Sequence, residues 1–108
     1  MAEYLHTNGT IKYVGAEKDG KRDGLCLTFW ETGILKYSAN YTDGKRNGLF
    51  SSYDKEGRRV NEINYVDGEM DGLNIQYYPN GQARLIKTYE NGLLRKALYF
   101  YKDGTSII

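Results

Sequence analysis

Histidine and cysteine, the side chains most often used as catalytic bases and nucleophiles, each occur once in this chain of 108 residues, as His6 and Cys26. A Ser-His-Asp or Cys-His arrangement needs a base held in place by a neighbouring element, but His6 lies in the first strand or terminal tail and is expected to be solvated. Cys26 is expected to be a half-buried packing thiol, and one residue of each type cannot supply a zinc site. These residues predict a protein that is not an enzyme and holds no metal and no cofactor.

Acidic residues occur in pairs within the segments DGKRD and DGEMD, as Asp19 with Asp23 and Asp67 with Asp71. Paired carboxylates can bind calcium, but a calcium loop also needs further acidic ligands and a distal glutamate, which these segments lack. Aspartate before glycine is instead typical of a reverse turn. The acidic pairs therefore predict turns.

Basic residues occur in pairs in the segments GKRDG and GKRNG, as Lys21 with Arg22 and Lys45 with Arg46. Backbone N–H groups beside glycine, together with these charges, could hold a phosphate or a lipid headgroup. However, no helix pattern follows, and the third copy of the segment has Glu-Met in place of the basic pair. Solvated turn charges are the favoured interpretation, and binding of an anion or a lipid surface by these four residues is the alternative.

Tyrosine is unusually frequent, with 11 residues against one proline. Exposed tyrosine rings can stack nucleobases, but a formal net charge of +1 gives no general attraction to nucleic acid, so no nucleic-acid partner is expected. Recurring tyrosines can also pair across the strands of a sheet, and those that stay exposed are typical of protein interfaces. The candidate residues for binding a partner protein are Tyr37, Tyr41, Tyr53, Tyr65, Tyr77 and Tyr89.

The elements that position these residues follow from an internal repeat of 24 residues, which three columns of glycine define. The columns are Gly20, Gly44, Gly68 and Gly92; Gly9, Gly33, Gly57 and Gly81; and Gly24, Gly48 and Gly72. Asp-Gly and Asn-Gly in the first column favour tight turns, because glycine accepts positive φ. The sequence places Asp103-Gly104 in the same set of turns. The second column predicts turns at the other end, so each repeat is expected to contain two strands.

Between the turns, apolar and polar residues alternate with a period of two, and no helical period is sustained. The prediction is an all-β fold, an elongated antiparallel meander of about nine strands built from stacked hairpins. Residues 1–108 are expected to form a single domain.

Leucines and tyrosines are expected to share one apolar face of this sheet, with Tyr37 opposite Tyr53. Tyr41, Tyr65 and Tyr89 are expected to form a column nearby. Gly44 and Gly68 are expected to tolerate valine poorly, because a β-branched residue does not readily adopt positive φ.

Gly15 lies outside all three glycine columns. The same substitution is therefore expected to cost less there than in the turn column.

Two of the units, YTDGKRNGLFSSYDKEG and YVDGEMDGLNIQYYPNG, resemble MORN repeats in the bacterial variant, in which Tyr, Gly-Lys, Gly-Leu, an aromatic residue and a further Gly recur. The resemblance extends from Asn8 to Gly104, and it is interrupted at Lys96 and at Glu17, where the other copies have glycine and tyrosine. It implies stacked β-hairpins in an extended, twisted sheet. It also implies binding without catalysis, since many bacterial members are labelled antitoxins and eukaryotic relatives bind proteins or associate with membrane lipids.

The charge balance and the first residues bear on partner and location. Lys and Arg number 15 against 14 Asp and Glu, so any anionic partner must be recognised locally. A single cysteine and an N-terminal segment without an apolar run predict a cytoplasmic protein. The combined prediction is a non-enzymatic protein-binding module, such as an antitoxin-like or mobile-element-encoded inhibitor, whose partner is another protein or a second copy of the chain. Peripheral binding to a lipid or other anionic surface is the alternative.

Overall fold

The computed structural model describes residues 1–107, which form one open sheet of ten β-strands whose neighbours all pair antiparallel. The strands are β1 (Ala2–Leu5), β2 (Ile11–Lys18), β3 (Lys21–Phe29), β4 (Leu35–Thr42), β5 (Lys45–Arg46), β6 (Gly48–Tyr53), β7 (Arg59–Val66), β8 (Glu69–Tyr77), β9 (Ala83–Glu90) and β10 (Leu93–Tyr99). Nine of them follow chain order across the sheet, and the short β5 pairs with β4 just ahead of β6. The Cα envelope measures 46 × 32 × 14 Å, as expected for an elongated single layer. The predicted fold class, an elongated antiparallel meander of stacked hairpins, is confirmed.

The Asp-Gly and Asn-Gly turns are two-residue hairpin loops that all lie at the same end of the strands. Asp43 and Gly44 have φ values of 49° and 81°. Positive φ at both central residues is the type I′ geometry, which matches the twist of the flanking strands. The same signs occur at Asp19-Gly20, Asp67-Gly68 and Asn91-Gly92.

Asp103-Gly104 does not belong to this set of turns. Only Gly104 of the two has positive φ, and its N–H donates to the carbonyl of Tyr101, just as Gly33 donates to Trp30 at the opposite end of the strands. The sequence assignment of this turn is therefore wrong, because Asp-Gly occurs in both kinds of turn.

The third glycine column forms a bulge in each of the first three hairpins. Between β2 and β3 the pairing jumps from Gly15 with Cys26 to Glu17 with Arg22, so two extra residues of β3 are accommodated at Gly24, whose φ is 103°. In the fourth hairpin, where Lys96 replaces the glycine, the register shifts by only one residue. The bulge at each glycine of this column thus sets the direction of the side chains between the turn and the glycine, such as that of Arg22.

Strand register divides the side chains between two faces in a way that the sequence pattern does not predict. Cys26 pairs with Ala39 and Thr28 with Tyr37, whereas Leu27 pairs with Ser38. Directly paired residues project to the same side of a sheet, so the leucines of β3 and the tyrosines of β4 lie on opposite faces. The tyrosine face carries Tyr13, Tyr37, Tyr41, Phe50, Tyr65 and Tyr89; the leucine face carries Leu25, Leu27, Leu49, Leu73 and Ile75.

The prediction of a single apolar face is therefore wrong. Its cause is a register shift beside each turn of the second glycine column, such as the one between Thr28 and Phe29, which a count of residues between turns does not reveal. Tyr37 consequently pairs with Ser52, and Tyr53 pairs with Arg59 on the leucine side. Tyr77 also lies on the leucine side, where its hydroxyl donates to Glu62.

The core of this single layer is thin and lies mainly under the tyrosine face. Among the described residues the buried apolar side chains are those of Tyr13, Cys26, Ala39 and Leu85. Small residues beneath aromatic rings account for this pattern, and Gly15 is the clearest case. A Cβ at Gly15 would lie 2.3 Å from the hydroxyl oxygen of Tyr13 and 2.8 Å from the sulfur of Cys26. The expectation that Gly15 is the more tolerant position is contradicted by this close packing.

Candidate functional site

Arg22 lies between two tyrosine rings on the tyrosine face. Its guanidinium carbon is 4.8 Å from the centre of the Tyr13 ring and 5.4 Å from that of the Tyr41 ring. Its Nη1 also donates a hydrogen bond of 3.2 Å to the Tyr41 hydroxyl. The bulge at Gly24 turns Arg22 onto the rings, so this residue is not a freely solvated turn charge as the sequence pattern favours.

Arg46 repeats this arrangement one repeat later. Its guanidinium carbon is 4.8 Å from the ring centre of Phe50 and 5.3 Å from that of Tyr65, and its Nη1 donates to the Tyr65 hydroxyl at 3.2 Å. Cation–π contacts of this kind hold a guanidinium flat against a ring. Two arginines 24 residues apart are thus fixed in equivalent positions.

The Tyr41 hydroxyl is influenced by both arginines. Burial alone would raise the pKa of Tyr41, but hydrogen bonding and positive charge from Arg46 and Arg22 outweigh it and lower that pKa. The same bonding to Tyr41 raises the pKa of each guanidinium. Tyr41 is therefore the centre of a small cationic cluster.

Further rings and cations extend this cluster across the sheet. Tyr4 packs on Tyr13 with ring centres 5.7 Å apart, and Tyr37 packs on Phe50 at 5.6 Å. The ammonium of Lys36 lies 4.4 Å from the ring centre of Trp30 and 5.1 Å from that of Tyr37. The result is a band of alternating aromatic rings and positive charges, which we call the aromatic–cation band. It consists of Tyr4, Tyr13, Arg22, Trp30, Lys36, Tyr37, Tyr41, Arg46, Phe50 and Tyr65.

Neither arginine of the band forms an ion pair within the described residues. The ion pairs found there use Arg58, Arg59 and Arg95 instead. Glu17 lies in register opposite Arg22, yet it is exposed and no ion pair joins the two. Among residues 1–107, the charges of Arg22 and Arg46 are thus left without a carboxylate partner.

A depression of about 200 Å³ lies within the band, and its lining includes Arg22, Tyr41, Arg46 and Phe50. At the neighbouring end of β3, His6 helps to line a larger depression of about 360 Å³ beside Trp30 and Lys36. The Nε2 of His6 lies 2.8 Å from the carbonyl oxygen of Phe29, and the ring is half-buried. The expectation of a solvated His6 is therefore wrong, because the hairpin β1–β2 folds this residue back against β3.

The hydroxyls of Tyr13, in the band, and Tyr77, on the leucine face, both have raised pKa values. Burial raises the pKa of Tyr13 to about 12, with a further contribution from the adjacent thiol of Cys26, and the hydroxyl has no well-formed hydrogen bond among the described residues. On the leucine face, burial and the hydrogen bond to Glu62 raise the pKa of Tyr77 to about 12, and Arg59 stacks 4.3 Å from its ring centre. Both phenols remain protonated at neutral pH.

The candidate tyrosines are divided by the fold. Tyr37, Tyr41 and Tyr65 lie in the band, and Tyr89 lies on the same face further along the sheet, where Met70 replaces the arginine. Tyr53 and Tyr77 lie on the other face, as described above.

The two candidate sets also overlap, since Arg22 and Arg46 belong to the tyrosine cluster. Lys21 and Lys45 precede them by one residue and contact no aromatic ring in the described part of the chain. The sequence interpretation missed Tyr13 and Lys36, although Tyr13 precedes Tyr37 by one repeat length of 24 residues, a spacing that could have identified it.

Metal binding and membrane spanning find no support in the described residues. No three or more His, Cys, Asp or Glu side chains cluster there in a way that could hold a metal ion. Residues 1–107 also contain no helix long and apolar enough to cross a membrane.

Comparison with known families gives matches at two places. The family model described as MORN repeat variant matches residues 22–43 and 70–92, and no curated protein matches the chain. Each matched segment begins two residues before a bulge glycine, at Arg22 or Met70, and ends in a type I′ turn. Residues 22–43 and 70–92 are thus similar to the MORN repeat variant, and MORN repeats are generally modules that bind proteins or membranes.

Proposed function

We propose that this protein is a non-enzymatic binding module that holds a partner protein against its tyrosine face. The observation that carries the proposal is the aromatic–cation band, in which rings, all but that of Tyr13 exposed or half-exposed, alternate with cations that have no carboxylate partner among residues 1–107. Tyrosine, tryptophan and arginine are the residues that dominate the energetics of protein interfaces. Because the rings and guanidiniums already restrict one another through these contacts, their side chains lose little conformational entropy when a partner binds.

In its most specific form, the proposal is a cytoplasmic antitoxin-like or mobile-element-encoded inhibitor of bacterial origin. Its support is the resemblance of the repeats to a bacterial variant in which many members carry that label. An adjacent toxin, nuclease or effector gene would support this form. The absence of such a neighbour in every genome that encodes the chain would contradict it.

Peripheral binding to an anionic lipid surface through Lys21, Arg22, Lys45 and Arg46 is less well supported. The two arginines of that set lie on the rings of the sheet face rather than at the turn edge. The lysines lie next to the turns, where the Lys21 side chain is near Gly44 and the Lys45 side chain is near Gly68. The arginines and the lysines are therefore directed to different parts of the surface.

Site-specific photo-crosslinking in the cell that expresses the protein tests the proposal. A benzoylphenylalanine at position 37, on the tyrosine face, is expected to capture a discrete partner protein. The matched control is the same group at position 25 on the leucine face, where Leu25 is more accessible than Tyr37, at 51% against 37% exposed. Capture at position 25 alone, or at neither position, would contradict the proposal. Capture of the chain by itself would identify the partner as a second copy.

A further inference from the structure

We infer that the part of the partner bound by the tyrosine face is an extended acidic segment whose carboxylates are held by Arg22 and Arg46. This inference rests on the proposed function and specifies the chemistry of the partner. It starts from two guanidiniums that are exposed, fixed on rings and without a carboxylate in the described residues.

The donors available on each arginine define the ligand. A guanidinium has several N–H groups in a planar fork that matches a carboxylate. Arg22 uses Nη1 on Tyr41, and Arg46 uses Nη1 on Tyr65 and also interacts with the Tyr41 hydroxyl. Each arginine therefore retains N–H groups for an incoming oxygen acid.

The spacing of the two arginines defines the geometry of the segment. Arg22 is on β3 and Arg46 is on β5, with β4 between them. Both guanidiniums reach the Tyr41 hydroxyl from the two sides of β4, so they lie closer together than their strands, which are about 10 Å apart. Side chains of an extended chain return to the same side at every second residue, about 6.6 Å apart, so acidic residues two positions apart would match the two arginines. The side chain between them would point away from the sheet.

Charge argues against a second copy of the chain as the occupant of this face. Packing the aromatic–cation bands of two copies on each other would bring Arg22, Lys36 and Arg46 of one copy close to the same cations of the other. Like charges opposed across an interface are unfavourable. An acidic segment instead supplies carboxylates, with which none of these cations is paired in the described part of the chain.

The charges around the arginines argue against a membrane and against a nucleic acid. The turns next to the arginines carry the exposed carboxylates of Asp19, Asp43 and Asp67, which would repel a flat anionic surface lying across both the turns and the face. A narrow chain can contact the arginines without covering those turns. A nucleic acid would need cations along its whole phosphate track, but the next repeat has Met70 at the arginine position.

The test uses synthetic peptides of nine residues and the intact protein. One peptide has glutamates two positions apart with tyrosine between them, the second has the same composition with adjacent glutamates, and the third has glutamines in place of the glutamates. Binding is followed by NMR through the Nε–H resonances of Arg22 and Arg46. We expect shifts with the first peptide, at least about threefold weaker binding of the second, and at least about tenfold weaker binding of the third.

Matched variants assign the effect to the arginines. Arg22→Gln/Arg46→Gln is expected to weaken binding of the first peptide at least about tenfold, because two charge-assisted hydrogen-bonding groups are removed. Lys21→Gln/Lys45→Gln removes the same charge from the adjacent positions and is expected to change the affinity less than about threefold, in line with the small effect of exposed charges.

Three results would overturn the inference: equal binding of the glutamine peptide, no binding of any peptide at millimolar concentration, or equal losses in the two double variants. Vesicles of phosphatidylserine and phosphatidylcholine, and a single-stranded oligothymidylate, form the remaining arms. Shifts of the arginine resonances with either of these in place of the peptide would also overturn it. If photo-crosslinking at position 37 still captures a partner while the acidic peptides fail, only the acidic-segment inference is lost; if both fail, the proposed function is lost as well.

Discussion

Tyr13 lies over Gly15 so closely that a methyl group on Gly15 would overlap the tyrosine hydroxyl, at 2.3 Å from its oxygen. Gly15 pairs with Cys26 across the β2–β3 hairpin, and Tyr13 in turn supports the guanidinium of Arg22 at 4.8 Å. The absence of a side chain at Gly15 thus leaves room for the Tyr13 ring, on which Arg22 rests.

Substitution of Gly15 by alanine is therefore expected to destabilise the protein by about 1–3 kcal/mol, because the added methyl group overpacks a buried site. Equilibrium urea unfolding measures the loss. In a Tyr13→Ala background the same substitution is expected to cost less, since only the Cys26 sulfur, at 2.8 Å, remains in the way. An equal cost in both backgrounds would show that the Tyr13 ring does not occupy this position.

The turn glycines act through the backbone rather than through packing. At Gly68, with φ of 84°, the nearest atom to an added Cβ would be 3.8 Å away, so there is room for a side chain. Gly68→Val is nevertheless expected to cost more than about 1 kcal/mol, because a β-branched residue is strained at positive φ. Gly68→Asn is the control and is expected to cost less, since asparagine tolerates this conformation. Equal losses in the two variants would contradict the turn geometry.

Stability is expected to fall at alkaline pH because two phenols keep their protons in the folded state. The pKa of Tyr77 is raised from 10.0 to about 12 by burial and by its hydrogen bond to Glu62. The unfolded chain loses this proton first, so the stability that Tyr77 contributes is fully present below pH 10 and is lost as the pH rises towards about 12. Tyr13 behaves in the same sense.

Urea unfolding at about pH 9 and about pH 11 measures this loss, and Tyr77→Phe provides the comparison. The variant is expected to lose less stability between the two pH values than the parent protein. Identical losses would mean that Tyr77 titrates normally.

Arg22 and Tyr41 are expected to be coupled electrostatically. Arg46 and Arg22 together hold the pKa of Tyr41 below its ordinary value. Arg22→Gln is therefore expected to raise that pKa, as measured by NMR titration of the Tyr41 ring carbon that bears the hydroxyl. Lys21→Gln removes the same charge one residue away and is expected to have a much smaller effect. Equal shifts in the two variants would show a general charge effect instead of the observed contact.

The turn geometry could be predicted from sequence because it depends on residue type at single positions. Positive φ at residues such as Gly44 and Gly68 is strongly favoured by glycine, so a repeated glycine column identifies hairpin turns directly. The stacked hairpins and their antiparallel order follow from those turns.

The division of side chains between the two faces could not be predicted in the same way. It depends on register shifts such as the one between Thr28 and Phe29, which have no distinct sequence signal. It also depends on bulges such as the one at Gly24, where the repeated glycine marks the position but does not show which way the neighbouring side chains turn. For that reason the sequence pattern places Tyr53 and Tyr77 on the same face as Tyr37, which is wrong, and it does not predict the contacts of Arg22 and Arg46 with tyrosine rings.

The central claim is that the tyrosine face, and not the leucine face, binds the partner. Its most direct test is the affinity of two double variants for the partner captured at position 37, measured by titration calorimetry after circular dichroism has shown that both variants fold. Tyr41→Ser/Tyr65→Ser is expected to bind at least about tenfold more weakly, because truncating central aromatic residues of an interface typically costs 2 kcal/mol or more. Leu25→Ser/Leu49→Ser, which alters exposed residues of the leucine face, is expected to bind within about twofold of the parent protein. Weakened binding of the leucine variant with unchanged binding of the tyrosine variant would contradict the claim.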